Sequence, residues 1–443
     1  MAFIRNLFLA SRFYYGIVGL IALMLLSYPF PLIFPIAKSA TILYFVIVLI
    51  DVVLLFNKNI VIQIERSTPQ VMSLGDDNAI TLTLTNLSNM TLGGEVIDEL
   101  PEQFQMRNFS FNLTLPAGIR VKKTYTLRPV TRGEYIFGNV HLFLTSGIGL
   151  IKRRISSEQT LNLPVYPSII QMKKYEVRTF VRTATEYGVK KVRRIGHSYE
   201  FEHIKHYVQG DDYRTVNWRA TSRRAQLMVN QYEDEKSQQV YCLIDKSRVM
   251  HMPFHGMSLF DYAVNTALVI SNIVLGKQDR AGLITFAETP KALVKAERSK
   301  VQLKKIIETL YKEKESAVEA NYESMYMAVQ KFINGRCLLI LFTNFESTYA
   351  LQRVLPQLRK LNDRHLLVVV FFENNEIATQ TSANVDTLED VYTQATAEHY
   401  MLTKIQLAQE LKQYGIISIL TRPESLTVTT INKYLEVKSR GML

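Results

Sequence analysis

A chain of 443 residues has room for two or three domains, and its 47% hydrophobic and 21% charged residues form a globular profile with a membrane-shifted tail. The net charge of +12 suits an anionic partner, a nucleic acid or the cytoplasmic lipid surface, and apolar runs near the N-terminus favour the lipid. Cys242 and Cys337 are the only cysteines and each lies in an apolar, strand-like run, which excludes a cysteine-built metal cluster and reads as buried thiols in a reducing compartment.

Residues 13–28 are almost wholly apolar and continue through Pro29, Pro31 and Pro35, about 20 residues in all, the length that spans a bilayer. The prolines mark an exit and turn. A second apolar run, 41–56, is interrupted only by Asp51, so residues 1–59 predict a two-helix transmembrane hairpin whose connection carries just Lys38. No small-x-small cleavage pattern follows, and the first run exceeds a signal-peptide core. Arg5 and Arg12 flank one side, Lys58 and Arg66 the other end. By the positive-inside rule both termini and the soluble domains lie in the cytoplasm, on the cytoplasmic (inner) membrane. Asp51 is expected to snorkel or pair locally rather than to act as an intramembrane acid.

Residues 60–167 change to short alternating segments, such as 79–84, 109–115 and 121–127, separated by turns rich in Gly, Asn and Pro. They predict an antiparallel β-sandwich-like domain. Asn86, Asn89, Asn108 and Asn112 carry the glycosylation pattern by chance, in keeping with the cytoplasmic side. Residues 168–237 form a basic linker and motif segment. Its tightest charge cluster, Lys190, Lys191, Arg193 and Arg194, is a solvated face or an anionic lipid or polymer patch, and aromatic interleaving is too sparse for nucleic-acid stacking. From residue 238 to 443 helix and strand alternate, the signature of a parallel sheet covered on both faces.

The densest stretch lies at the join. Gly210-Asp211-Asp212 is followed by Arg214, Asn217 and Trp218, the only tryptophan. Two acids after a glycine suit a turn or helix N-cap with Arg214 neutralising the charge. The functional alternative makes them acid, base or metal ligand together with His203 and His206, which requires convergence. A strand at 226–232 follows, then a turn at 233–237 and a buried run, 240–244, closing on Asp245-Lys246-Ser247. A strand's carboxyl end is where open α/β sheets bind ligands.

The pattern Gly210-Asp211-Asp212-x-Arg214-x-x-Asn217-Trp218, then Leu227-x-Val229, Glu233-x-Glu235 and Asp245-x-Ser247, resembles the bacterial domain-of-unknown-function 58 family over about residues 120–343. The resemblance implies a von Willebrand factor A-like α/β core, a parallel-sheet Rossmannoid domain, after the hairpin and the β-sandwich-like domain. Ser146-Gly147-Ile148 departs from the Asp-Pro-Phe usual at that point of the family. The implied fold can carry a magnesium site built from Asp-x-Ser-x-Ser, a loop Thr and a later Asp. Here Asp245 and Ser247 remain, Val249 replaces the second Ser, Asn344 stands for the final Asp, and no Thr is found between Glu315 and Tyr322. The site reads as degenerate, and no cofactor is expected.

No Gly-x-x-x-x-Gly-Lys-Ser/Thr phosphate loop or Gly-x-Ser-x-Gly elbow occurs. His203 with His206, and His251 with His255, have helical ligand spacing but few acids nearby and read as ordinary polar or capping histidines. Tyr, Met and Leu at helical spacing around 322–327 read as core. The chain therefore reads as a membrane-anchored, non-enzymatic binding or scaffold protein that engages a protein partner and no nucleic acid. The resemblance implies a MoxR-type AAA+ ATPase as that partner. The rivals are a hydrolase using Asp211, Asp212 and His206, and an anionic lipid or polymer binder through residues 190–194. The motif is expected to clasp the linker to the A-like domain, with Trp218 as its buried apolar anchor.

Overall fold

Pro35 stands in the first turn of a helix, where its missing N–H would have had no intrahelical partner in any case. The prolines that the sequence suggests as an exit from one span therefore open the next. A computed structural model describes residues 5–107, 109–175, 200–209, 211–233, 237–299, 301–373 and 388–442. They fall into two units, Met1–Tyr166 and Pro167–Leu443.

In the first unit a short strand β1 (Leu7–Leu9) leads into helices α1 (Ser11–Ser27) and α2 (Phe34–Leu55). The 22 residues of α2 extend about 33 Å and are apolar on every side, long and apolar enough to cross a membrane. Helix α1, at 17 residues, is shorter. Tyr15, Val18, Leu25, Leu43, Leu49 and Val53 are exposed on the two helices, as lipid-facing side chains would be. The pair is held by the Tyr44 hydroxyl, which donates to the Phe13 carbonyl at 2.7 Å. Its ring lies against Gly16, where a Cβ would come within 2.5 Å of it.

The alternating segments form β2 (Ile62–Ser67), β3 (Met72–Ser73), β4 (Asn78–Asn86), β5 (Leu92–Asp98), β6 (Ser110–Leu115), β7 (Arg120–Leu127), β8 (Gly133–Phe137), β9 (Val140–Thr145), β10 (Ile151–Ser157) and β11 (Leu161–Tyr166). They make sheets of order β1-β10-β9-β5-β6, β2-β4-β7 and β3-β11-β8. All pairings are antiparallel except β3 with β11. Period-two alternation places Leu92 and Val96 of β5 and Val140, Leu142 and Leu144 of β9 in one core with Leu82 and Leu84 of β4. Leu55 of α2 joins that core. Two expectations need correction here. Asp51 does not snorkel or pair locally, because its buried carboxylate accepts from Ser146, Leu150 and Ile151, almost a hundred residues on. Arg66 is no flanking surface charge: it is buried against Asp98 and donates to the Gly138 and Gln159 carbonyls.

In the second unit β12 (Glu200–His206) pairs antiparallel with β13 (Met228–Glu233), and the short helix α3 (Trp218–Arg224) lies between them in sequence. Then come β14 (Gln239–Asp245), a hairpin of β15 (Pro253–Phe254) and β16 (Met257–Ser258), α4 (Leu259–Gly276), β17 (Arg280–Phe286), β18 (Pro290–Glu297), α5 (Gln302–Lys312) and α6 (Tyr322–Phe332). The chain continues through β19 (Leu338–Phe342), α7 (Thr348–Arg364), β20 (Leu366–Phe372), α8 (Leu388–Gln413), β21 (Ile417–Thr421) and α9 (Leu426–Ser439). The main sheet has the order β18-β17-β14-β19-β20-β21. It is mixed rather than wholly parallel, because β18 runs antiparallel along its edge. An opening proline and alternating charges at Lys291, Lys295 and Glu297 suit an edge strand and disguise it as a connector.

The central strands are buried on both faces, so they read as continuous apolar runs. Val240, Cys242 and Ile244 of β14 face the layer of α4, α5 and α9, while Tyr241 and Leu243 face that of α6, α7 and α8. Gly282 of β17 leaves room for the Tyr241 ring, which a Cβ would meet at 2.3 Å, and the Tyr241 hydroxyl accepts from the Ala296 N–H at 3.0 Å. Helix α4 is also long and apolar enough to cross a membrane, but most of it is buried in this core.

Candidate functional site

Parallel pairing in register brings the carboxyl ends of β14 and β19 together, Ile244 opposite Phe342, so Asp245 and Thr343 leave the sheet side by side. The Asp245 carboxylate is buried and fully engaged. One oxygen accepts from the Ser247 N–H at 2.9 Å; the other accepts from the Thr343 hydroxyl at 2.7 Å and the Tyr322 hydroxyl at 3.3 Å. Tyr322 and Thr343 are themselves 2.7 Å apart. Burial pushes the Asp245 carboxyl above the ordinary range, against the opposing pull of these donors. Burial also pushes the Tyr322 hydroxyl up, and the Asp245 charge adds to it. Ser247 Oγ is buried as well and adds to the pull that lowers the Asp245 carboxyl.

Asn344 is not turned to this carboxylate. Its amide nitrogen donates to the Val249 carbonyl at 3.4 Å, and its amide oxygen accepts from the Lys404 ammonium at 2.7 Å. Lys404, on α8, also donates to the Phe345 carbonyl, lies 5.1 Å from the Tyr400 ring centroid, and is pushed down to about 8 by burial. Beyond Asp245, Lys246 is buried in an ion pair with Glu313 at 2.7 Å.

These residues do not fit a magnesium ion, which requires several hard oxygens in near-octahedral array. Both Asp245 oxygens are taken by protein donors, Val249 offers no side-chain oxygen, and Asn344 is engaged by an ammonium. Among the described residues no group of three or more His, Cys, Asp and Glu gathers elsewhere.

The family motif forms a separate arm between β12 and β13, with Gly210 and residues 190–194 outside the described residues. Asp211 accepts from the Lys205 ammonium at 2.7 Å and the Val208 N–H at 2.9 Å, and the Lys205 hydrogen bond holds its carboxyl below the usual range. Asp212 caps the turn Tyr213–Thr215 by accepting from the Arg214 N–H at 3.0 Å. The Arg214 guanidinium lies instead over the Tyr213 ring, 5.7 Å from its centroid. Asn217 caps α3 by accepting from the Ala220 N–H at 3.0 Å, and donates to Asn230 at 2.8 Å. The capping expectation for Asp212 is met through the Arg214 N–H, whereas the Arg214 guanidinium is turned to Tyr213 and not to the acids. His206 is exposed and, among the described residues, hydrogen-bonded to neither acid, while the His203 side chain lies outside the described residues.

Trp218 contradicts its expected role as a buried anchor: it is 72% exposed. The physical reason is a lack of cover, since a seven-residue helix and a two-stranded sheet supply no second apolar layer, and Met228 and Val229 are the buried apolar side chains of this hairpin among the described residues. Sequence reasoning also missed two participants. Tyr322 lies in the core, as its helical spacing predicts, but its hydroxyl reaches Asp245. Lys404 was not singled out, although it stands three and seven residues before the buried Leu407 and Leu411 and so on the buried stripe of α8.

Residues 203–398 match the family model described as "Protein of unknown function DUF58". The matched segment starts later and ends later than the 120–343 that the motif suggests. The uncharacterized protein YeaD of Bacillus subtilis (strain 168) is 26% identical over 220 residues, which are 48% of this chain and 53% of YeaD, so the match spans about half of that curated relative. Among solved structures, the conserved hypothetical protein BatB from Bacteroides thetaiotaomicron is 10% identical, with a TM-score of 0.30 over 46% of this chain and 99% of that one. The CARDB domain of the PF1109 protein from Pyrococcus furiosus is 11% identical, with a TM-score of 0.17 over 24% of this chain and 90% of that one.

Proposed function

We propose that this chain is a membrane-anchored, non-enzymatic scaffold. Helices α1 and α2 hold it in the cytoplasmic membrane, and its von Willebrand A-like α/β domain engages a protein partner in the cytoplasm. The partner class to which the family resemblance points is a MoxR-type AAA+ ATPase. The observation that carries this reading is Trp218, the only tryptophan, standing 72% exposed inside the family motif. An exposed large aromatic is what a recognition surface needs and what a clasp does not. Asp245, in contrast, is buried, with protein donors on both of its oxygens.

The test is a crosslinked membrane pull-down of the full chain, read by mass spectrometry and repeated with Trp218→Ala. The variant should melt within about 0.5 kcal/mol of the parent, as surface changes do, while losing its protein partner. A variant that unfolds would restore the clasp. Turnover abolished by Asp211→Ala in a folded protein would favour the hydrolase.

A further inference from the structure

The arm between β12 and β13 spends its polar groups internally and leaves its aromatic and basic ones outside. Asp211 is tied to Lys205 and Val208, Asp212 and Asn217 cap the two turns, Asn217 reaches Asn230, and the Thr221 hydroxyl accepts from the Met228 N–H at 3.0 Å. Tyr213 and Trp218 are each 72% exposed, and Val208 and Leu227 are exposed beside them in the chain. Arg219, Arg223 and Arg224 are exposed too, and no carboxylate among the described residues pairs with them. From residue 204 to 230 five basic residues stand against two acids, and one of those acids is neutralised by Lys205.

We propose that this aromatic and arginine-rich surface docks an acidic segment of a protein partner, a proposal that rests on the scaffold reading above. Tryptophan, tyrosine and arginine are the residues that dominate binding energy at protein interfaces. Their unpaired positive charge selects an acidic counterpart and steers its approach. A protein fits better than a lipid surface because the arm is locked by caps and side-chain bonds. Such preorganisation reduces the ordering cost of shape-specific recognition, whereas a headgroup field needs no fixed shape.

Trp218, as the only tryptophan, reports on the surface directly. The full chain is held in phosphatidylcholine nanodiscs and titrated with a glutamate/leucine peptide, a lysine/leucine peptide of equal length, and separate phosphatidylglycerol vesicles. The acidic peptide should shift Trp218 emission to the blue, with a response that weakens as salt rises. Arg219→Glu with Arg223→Glu should weaken binding roughly tenfold or more while leaving the melting temperature unchanged. No shift with the acidic peptide, an equal shift with the basic one, or a shift confined to the vesicles overturns the proposal. If the membrane pull-down captures a protein but the acidic peptide leaves Trp218 unmoved, the scaffold reading stands and this assignment falls. An empty pull-down removes the scaffold reading itself.

Discussion

Asp51 of α2 and Ser146, 95 positions later at the start of the loop after β9, are hydrogen-bonded, the Ser146 hydroxyl donating to the buried carboxylate. The other Asp51 oxygen accepts the N–H groups of Leu150 at 2.9 Å and Ile151 at 3.0 Å. Arg153 closes the helix end by donating to the Leu55 carbonyl at 2.8 Å, and Ala10, just before α1, donates to the Leu150 carbonyl at 3.0 Å. Gly149, at φ +74°, shapes the loop that makes these bonds possible, in a left-handed conformation that a side chain would strain. The loop after β9 thus seats the apolar helices on their β-sheet.

Asp51→Ala should therefore cost on the order of 3 kcal/mol, because it orphans three donors at once, whereas Ser146→Ala should cost about 1. Denaturant unfolding of the full chain in detergent, followed by circular dichroism, measures both. Equal effects would show that the carboxylate does not unite these donors.

The charges flanking the helices motivate a prediction of topology, with both termini inside. Arg66 is spent in the β unit, so the burden falls on exposed Arg5, Arg12 and Lys58. Protease added outside sealed spheroplasts should leave the region after Lys58 intact. Cleavage there from outside would invert the topology and remove the cytoplasmic partner.

At the end of β14, calorimetry on the full chain with magnesium and manganese should show no Asp245-dependent binding at micromolar concentration. Tyr322→Phe should cost about 1 kcal/mol, by removing one hydrogen bond while keeping the ring in place. Tight binding that Asp245→Ala abolishes would mean that the hydroxyls yield to an ion.

Lys404 makes stability depend on pH. Its folded-state value is pushed down to about 8 from an ordinary 10.5, so below pH 8 both states carry the proton and the full cost of burying the charge is present. Between about pH 8 and 10.5 the folded protein releases the proton while the unfolded chain retains it. Stability should rise with pH across that window, by up to about 3 kcal/mol. Lys404→Met should lack this rise, and melting curves of the two proteins from pH 7 to 10.5 compare them. Parallel pH profiles would show that the ammonium is compensated by Asn344 and Phe345.

The sequence by itself determined what repeats along the chain. Apolar length marked α2, period-two alternation marked β5 and β9, continuous apolar runs marked β14, β19 and β20, and motif spacing marked the family. These signals survive in one dimension because each reflects the environment of a whole element. Tertiary structure alone decided which polar groups meet: Asp51 with Ser146, Tyr322 and Thr343 with Asp245, Lys404 with Asn344. Those partners are separated by 60 to 98 positions, and only the ends of paired strands and the helices packed on them bring them together. Trp218 makes the same point for burial. An aromatic side chain is buried only where other elements supply apolar surface to cover it, and the two-stranded arm covers Met228 and Val229 but not Trp218.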